Sequence, residues 1–97
     1  MTAEQNIQDR PQELLPLNAV FATDFVQILV FVSPTDTMRE VAAQVAHHVE
    51  GKRVRALPHD KFVTFRGERL PDDLTVIAAG LGPRDHITVE YDLPEQP

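Results

Sequence analysis

Metal binding is the first chemistry that this sequence could offer, because it contains four histidines. Two metal ligands on one helix face lie three or four positions apart, whereas His47 and His48 are adjacent and point about 100° apart. His47 and Glu50 have the spacing of half a site, although histidine near the end of a helix is also favoured by the helix dipole. The sequence lacks Glu-x-x-His, the carboxylate–histidine motif of di-iron centres in helical bundles. We therefore expect no metal or other cofactor in this chain.

Nucleophilic catalysis and phosphate binding also lack their usual residues. Ser33 is the only serine, and it precedes Pro34 instead of lying in the Gly-x-Ser-x-Gly turn of a hydrolase. The Gly80-Leu81-Gly82 sequence begins like a dinucleotide fingerprint, but a proline and a predicted strand follow it where a helix is needed. Asp72 and Asp73 are adjacent loop acids with no third carboxylate nearby to complete a calcium site. The residues predict no catalysis by this chain alone.

Composition and charge favour a small protein-binding domain. The 97 residues suffice for one core, and 42% hydrophobic and 25% charged residues are ordinary globular proportions. A net charge of −6 argues against nucleic-acid and anionic-membrane surfaces, which need clustered lysine and arginine. The absence of cysteine, of a long apolar stretch and of a signal-like beginning predicts a cytoplasmic location.

The order of elements predicts an α+β fold of the β-grasp type, a mixed sheet of four or five strands with one main helix on one face. We expect a flexible N-terminal arm over 1–16, which either orders on a partner or simply leads into the first strand, a domain over 17–92, and a tail over 93–97. The expected strands are 17–21, 25–32, 61–65 and 86–91, with a turn over 66–69 and one helical turn over 75–79.

The main helix, expected over about 37–50, has the clearest local signals. Thr37 and Glu40 fit a capping box, in which each side chain binds the other residue's backbone N–H. Gly51 follows as a left-handed stop. One apolar stripe at helical spacing should face the sheet, formed by Met38, Val41, Ala42, Val45 and Val49.

The second strand is apolar on both faces, which indicates a buried outer face. If its even-numbered residues from Val26 to Val32 face the helix, then Phe25, Leu29 and Phe31 face the other way. In a β-grasp this strand lies at the sheet edge, where exposed rings beside an unpaired strand promote aggregation. We expect a partner to cover them. The alternative is that Phe25 lies in the turn and folds back over the core.

Basic residues concentrate between 50 and 69, where six basic and three acidic residues give a net charge of +3. This band includes Lys52, Arg53 and Arg55 just after the helix. It could steer an acidic protein partner, or it could be an ordinary solvated set of loops. RNA binding is not indicated, because Phe62 and Phe65 fall on opposite faces of their strand.

The segments VSPTDTM, FRGERLPDDLTV and AAGLGPRDHITVEYD resemble ubiquitin in order and spacing. The chain departs from ubiquitin where function would show. It has no terminal Gly-Gly, and Thr64 stands where ubiquitin has the exposed isoleucine that its readers bind. A conjugated modifier or a sulfur carrier is therefore not expected, and a free-standing, non-conjugated ubiquitin-like adaptor remains the alternative function.

A closer resemblance is carried by FATDFVQILVFV, DTMREVAAQVAHHV, the following KRV, and LPDDLTVIAAGLGPRDHITVEYD. These segments are similar to the small γ (B) subunit of toluene-4-monooxygenase and its relatives, bacterial di-iron monooxygenases that oxidise toluene, phenol, alkenes and isoprene. The resemblance implies a ubiquitin-like subunit of an (αβγ)2 hydroxylase, bound to the α subunit that carries the di-iron site. It further implies that this chain stabilises the complex and makes no bonds itself.

Overall fold

The computed structural model describes residues 14–24 and 26–93. Five strands form one mixed sheet in the order β2-β1-β5-β3-β4, in which β1 and β5 are parallel and the other neighbours are antiparallel. The strands are β1 (Leu15–Phe21), β2 (Gln27–Val32), β3 (Lys61–Phe65), β4 (Glu68–Arg69) and β5 (His86–Tyr91), and the helices are α1 (Met38–Val49) and α2 (Val76–Ala79). The predicted α+β fold and the edge position of β2 are confirmed.

Helix α1 covers one face of the sheet, and the core lies between them. Its predicted stripe is buried throughout, together with Ala46. The capping box is present, since the Glu40 N–H donates to Thr37 Oγ1 at 3.2 Å and the Thr37 N–H donates to Glu40 Oε1 at 2.8 Å. These bonds satisfy two N–H groups that the first turn of a helix leaves without partners. Gly51 has the expected positive φ of 76°.

Strand β1 begins at Leu15, two residues earlier than predicted, so the end of the expected 1–16 arm belongs to the sheet. Its other residues, 1–13, lie outside the described part of the chain. Proline cannot donate to a sheet ladder, so its place in a strand depends on which neighbour its nitrogen faces. The Pro16 carbonyl accepts from the Arg84 N–H at 2.6 Å, so the backbone of Pro16 faces the loop before β5. The ladder with β2 therefore loses no hydrogen bond.

Two other boundaries differ from the sequence prediction. Strand β2 begins at Gln27, and Val26 is 42% exposed instead of facing the helix, because the ladder with β1 ends at the Val20–Gln27 pair. The predicted turn over 66–69 holds a two-residue turn, in which Arg66 and Gly67 both have positive φ, followed by the short strand β4. Such turns match the twist of antiparallel strands.

Candidate partner-binding surface

The sheet face opposite α1 carries an exposed apolar cluster at its β1–β2 end. Leu29 and Phe31 project there from β2, and their side chains are 51% and 49% exposed. The register places Leu29 beside Asn18 and Phe31 beside Pro16. Leu14 is 53% exposed and lies two residues before Pro16, so its side chain points to the same face. We call Leu14, Leu29 and Phe31 the outer patch. Phe25, predicted to belong to the same surface, lies outside the described residues.

The β5 and β3 part of that face is mainly polar, although the half-buried Phe62 of β3 also lies on it. Thr64 of β3 and Glu90 of β5 lie side by side, and the Thr64 hydroxyl donates to Glu90 Oε2 at 3.4 Å. Together with His86 and Thr88 they line an open depression of about 520 Å³. Ubiquitin-like contact through an apolar centre of β3 is therefore replaced here by a polar surface. The outer patch lies away from β3 in the sheet, with Leu29 and Phe31 on β2, three strands from β3.

The basic band of the sequence does not form one continuous positive surface. Three of its cations pair with acids from different elements: Arg53 with Asp24 at 2.9 Å, Lys61 with Glu50 at 3.5 Å and Arg69 with Asp92 at 3.0 Å. The hydrogen bond with Asp92 raises the pKa of Arg69. Two of these acids, Asp24 and Asp92, lie outside the 50–69 window, which is why a sum over that window overstated the positive charge. Lys52 and Arg55 are exposed and stay candidates for steering a partner.

Arg53 has a structural role that the sequence did not reveal. Its Nε donates to Asp24 Oδ2, whose side chain is only 6% exposed, and the two residues are 29 positions apart. Asp24 lies in the β1–β2 turn and Arg53 in the segment after α1. The pair therefore fastens the hairpin that carries the outer patch to the end of the helix. An arginine held in this way is less available to a partner than the prediction assumed.

A second long-range contact surrounds the Tyr91 hydroxyl at the end of β5. The hydroxyl donates to Glu50 Oε2 and accepts from the Leu57 N–H at 2.9 Å. The carbonyl oxygen of Arg55 lies 3.2 Å away. The ring packs edge-on against Phe21, with 5.2 Å between centroids. One buried side chain thus contacts the start and the middle of the segment between α1 and β3, at sequence separations of 34 to 41 residues that no local pattern could show.

The ionisation of Tyr91 should make stability depend on pH. Burial and the hydrogen bond to Glu50 raise the pKa of Tyr91 above its ordinary value of 10.0. Above that pH the unfolded chain releases this proton while the folded chain retains it, so the free energy of unfolding should fall as pH rises.

Tyr91 is the only tyrosine, so tyrosinate absorbance reports this group alone. We expect the folded chain to titrate at higher pH than the chain in urea, and the fall in stability to be shallower in Tyr91→Phe. Equal titration midpoints in the folded and unfolded chains would contradict this assignment.

The histidines and acids of the described residues do not gather into a metal-binding cluster. Within 14–24 and 26–93, no three histidine, aspartate or glutamate side chains lie close enough together to hold a metal ion. His47 and His48 are both exposed, with ring centroids 5.9 Å apart. A di-iron centre therefore does not fit the residues placed here. Neither described helix is long and apolar enough to cross a lipid bilayer.

Comparison with known proteins identifies the family. The sequence model of toluene-4-monooxygenase system protein B (TmoB) matches residues 14–91. The chain belongs to the TmoB family. It is 35% identical over 81 residues to the γ subunit of the toluene-4-monooxygenase hydroxylase component of Ectopseudomonas mendocina, covering 79% of this chain and 94% of that subunit. The resemblance proposed from the sequence is confirmed.

Solved structures agree with the TmoB assignment. A chain in the toluene 4-monooxygenase HD complex with the inhibitor 4-bromobenzoate superposes with a TM-score of 0.78 at 33% identity, covering 81% of this chain and 99% of that one. The ubiquitin of Caldiarchaeum subterraneum superposes with a TM-score of 0.66 at 18% identity, covering 86% and 99%. The second likeness shows the fold alone, and it confirms that this TmoB family member is ubiquitin-like.

Proposed function

We propose that this chain is the γ subunit of a multicomponent di-iron monooxygenase hydroxylase, in which it binds the large α subunit. Its match to nearly the whole length of a hydroxylase γ subunit is the observation that carries the proposal. The exposed outer patch supports it, because a monomer gains nothing from displaying two leucines and a phenylalanine together. A free-standing adaptor is not favoured, since the relative is a hydroxylase subunit.

The proposed mechanism is binding without bond-making. Leu29 and Phe31 are already about half buried, so covering the rest of each contributes about 0.7–1.5 kcal/mol before the costs of association, and neighbouring contacts must add to it for a lasting interface. The di-iron centre and the pocket for an aromatic or alkene hydrocarbon belong to the α subunit. A β subunit completes an (αβγ)2 assembly in the cytoplasm. Lys52 and Arg55 are the exposed cations that would steer the encounter.

The test is affinity purification of the tagged full chain from its native host, followed by mass measurement and iron analysis. We expect a large iron-containing partner and a second subunit to co-purify in equal amounts with this chain. Isolated γ chain, separated from the complex by denaturation and refolded, should contain no iron. Recovery of the chain alone, under conditions in which the host oxidises hydrocarbons, would contradict the proposal.

A further inference from the structure

The outer edge of β2 presents main-chain groups that point away from the sheet. The Asn18 N–H donates to Asp85 O and the Ala22 N–H donates to Val89 O, so even-numbered residues of β1 face β5 and odd-numbered residues face β2. The register pairs Leu17 with Val30 and Ala19 with Ile28. The backbone groups of Gln27, Leu29 and Phe31 therefore point outward. Among the residues that the structure describes, β2 has β1 as its only neighbouring strand.

Among residues 14–24 and 26–93, side-chain hydrogen bonds close this edge at one end. Gln44 of α1 donates from Nε2 to the Phe31 carbonyl at 2.9 Å, which confirms that the main-chain carbonyl of Phe31 points away from β1. The Ser33 N–H donates to Asp36 Oδ2 at 2.9 Å. The open part runs from Gln27 to the N–H of Phe31, directly beside the side chains of Leu29 and Phe31. The outward main-chain groups of β2 thus lie directly beside the apolar side chains of the outer patch.

We propose that an extended segment of the large hydroxylase subunit adds to this edge as a sixth strand. This inference rests on the proposed function and specifies how the outer patch is covered. Outward N–H and C=O groups at every second residue are matched by an extended main chain, whereas a helix face or a loop leaves them without partners. The residues of the segment that face Leu29 and Phe31 are apolar.

A second copy of this chain fits the edge less well. Antiparallel pairing centred on Leu29 places Phe31 opposite polar Gln27. Shifting the centre to Val30 places Gln27 opposite Ser33, whose N–H is already bound by Asp36. A partner segment is free of both constraints because its sequence is independent. Its apolar residues can follow the spacing of Leu29 and Phe31.

Amide hydrogen exchange tests the inference on the unmodified protein. In the isolated full chain the amides of Leu29 and Phe31 should exchange rapidly, while those of Ile28 and Val30, which pair with β1, should be protected. In the purified hydroxylase complex the exchange of Leu29 and Phe31 should slow at least about tenfold. Unchanged exchange in an intact complex would overturn the inference and leave the proposed function standing. Protection already present in the isolated chain, as a monomer or as a dimer by sedimentation, would also overturn it.

Proline and alanine substitutions at the same position distinguish the contribution of the main-chain N–H to binding from that of the side chain. Leu29→Pro removes an outward N–H without breaking the ladder with β1, a position where edge strands accept proline. Leu29→Ala removes the side chain and keeps the N–H. We expect Leu29→Pro to bind the large subunit at least about tenfold more weakly than Leu29→Ala. Equal affinities would overturn the inference. If Leu29→Pro does not fold, Gln27→Pro against Gln27→Ala makes the same comparison at the start of the strand.

Discussion

Replacement of both Leu29 and Phe31 by aspartate should remove this chain from its complex without unfolding it. The two side chains are half exposed on the face opposite α1, so the core does not depend on them. In the complex, the change would forfeit their burial and place two carboxylates in an apolar interface. We expect the affinity for the large subunit to fall at least about a hundredfold, measured by co-purification and by titration of the isolated chain.

A matched control is available on another element. Ile77 of α2 is 68% exposed, and Ile77→Asp adds one carboxylate outside the outer patch, half the charge that the double variant adds. It should bind like the unmodified chain. Urea unfolding of both variants should stay within about 1 kcal/mol of the unmodified chain, as is usual for surface changes. If the double variant loses its structure, the two side chains belong to the fold. If it stays folded and still co-purifies, the outer patch is not the interface.

Tyr91→Phe should cost about 2 kcal/mol of unfolding free energy, a large loss for the removal of one oxygen atom. The ring would stay in place against Phe21, but the Leu57 N–H and the Glu50 carboxylate would lose their shared partner. A buried polar group left without a partner costs about 1–3 kcal/mol. Urea denaturation at neutral pH measures the loss, and hydrogen exchange across residues 50–60 should rise at the same time.

Glu50→Gln is the natural comparison for Tyr91→Phe. Its side-chain oxygen can still accept from the Tyr91 hydroxyl, while the ion pair with Lys61 is lost. We expect a smaller cost than for Tyr91→Phe, because a partly exposed ion pair contributes little. A cost for Tyr91→Phe below about 0.5 kcal/mol would show that water replaces the hydroxyl, and that the connection to Leu57 is not rigid.

Local sequence signals predicted the elements well, and their failures have a physical origin. The capping box of Thr37 and Glu40 spans four residues, so its chemistry can be read directly from the chain. The alternation in His86–Tyr91 likewise puts Ile87, Val89 and Tyr91 on one face, and all three are buried. The expected start of the first strand was two residues late, because whether proline is tolerated in a strand depends on which neighbour its nitrogen faces.

The contacts that shape the candidate surface could not be predicted in the same way. Arg53 meets Asp24 and Gln44 meets the Phe31 carbonyl only because the helix returns across the sheet. Arg53, Lys61 and Arg69 belong to the same basic stretch of the sequence, but each forms an ion pair with an acid from a different element. The sequence predicted that Leu29 and Phe31 would be exposed, since strand alternation alone determines it. The direction in which the main-chain groups of β2 point could be derived only from the observed pairing of β2 with β1.

The side-chain amide of Gln44 bears on how a partner segment would align with β2. In the proposed strand addition, this hydrogen bond and the one from the Ser33 N–H to Asp36 occupy one end of the edge, so an added segment would pair from Phe31 toward the β1–β2 turn. The open length is about five residues, or roughly 17 Å at about 3.4 Å per residue. So short an edge offers few main-chain hydrogen bonds, which would fix the alignment of the added segment as well as contribute to its affinity. Gln44 would thereby fix one end of the pairing, and the register of the partner's apolar residues along β2 would be set from that end.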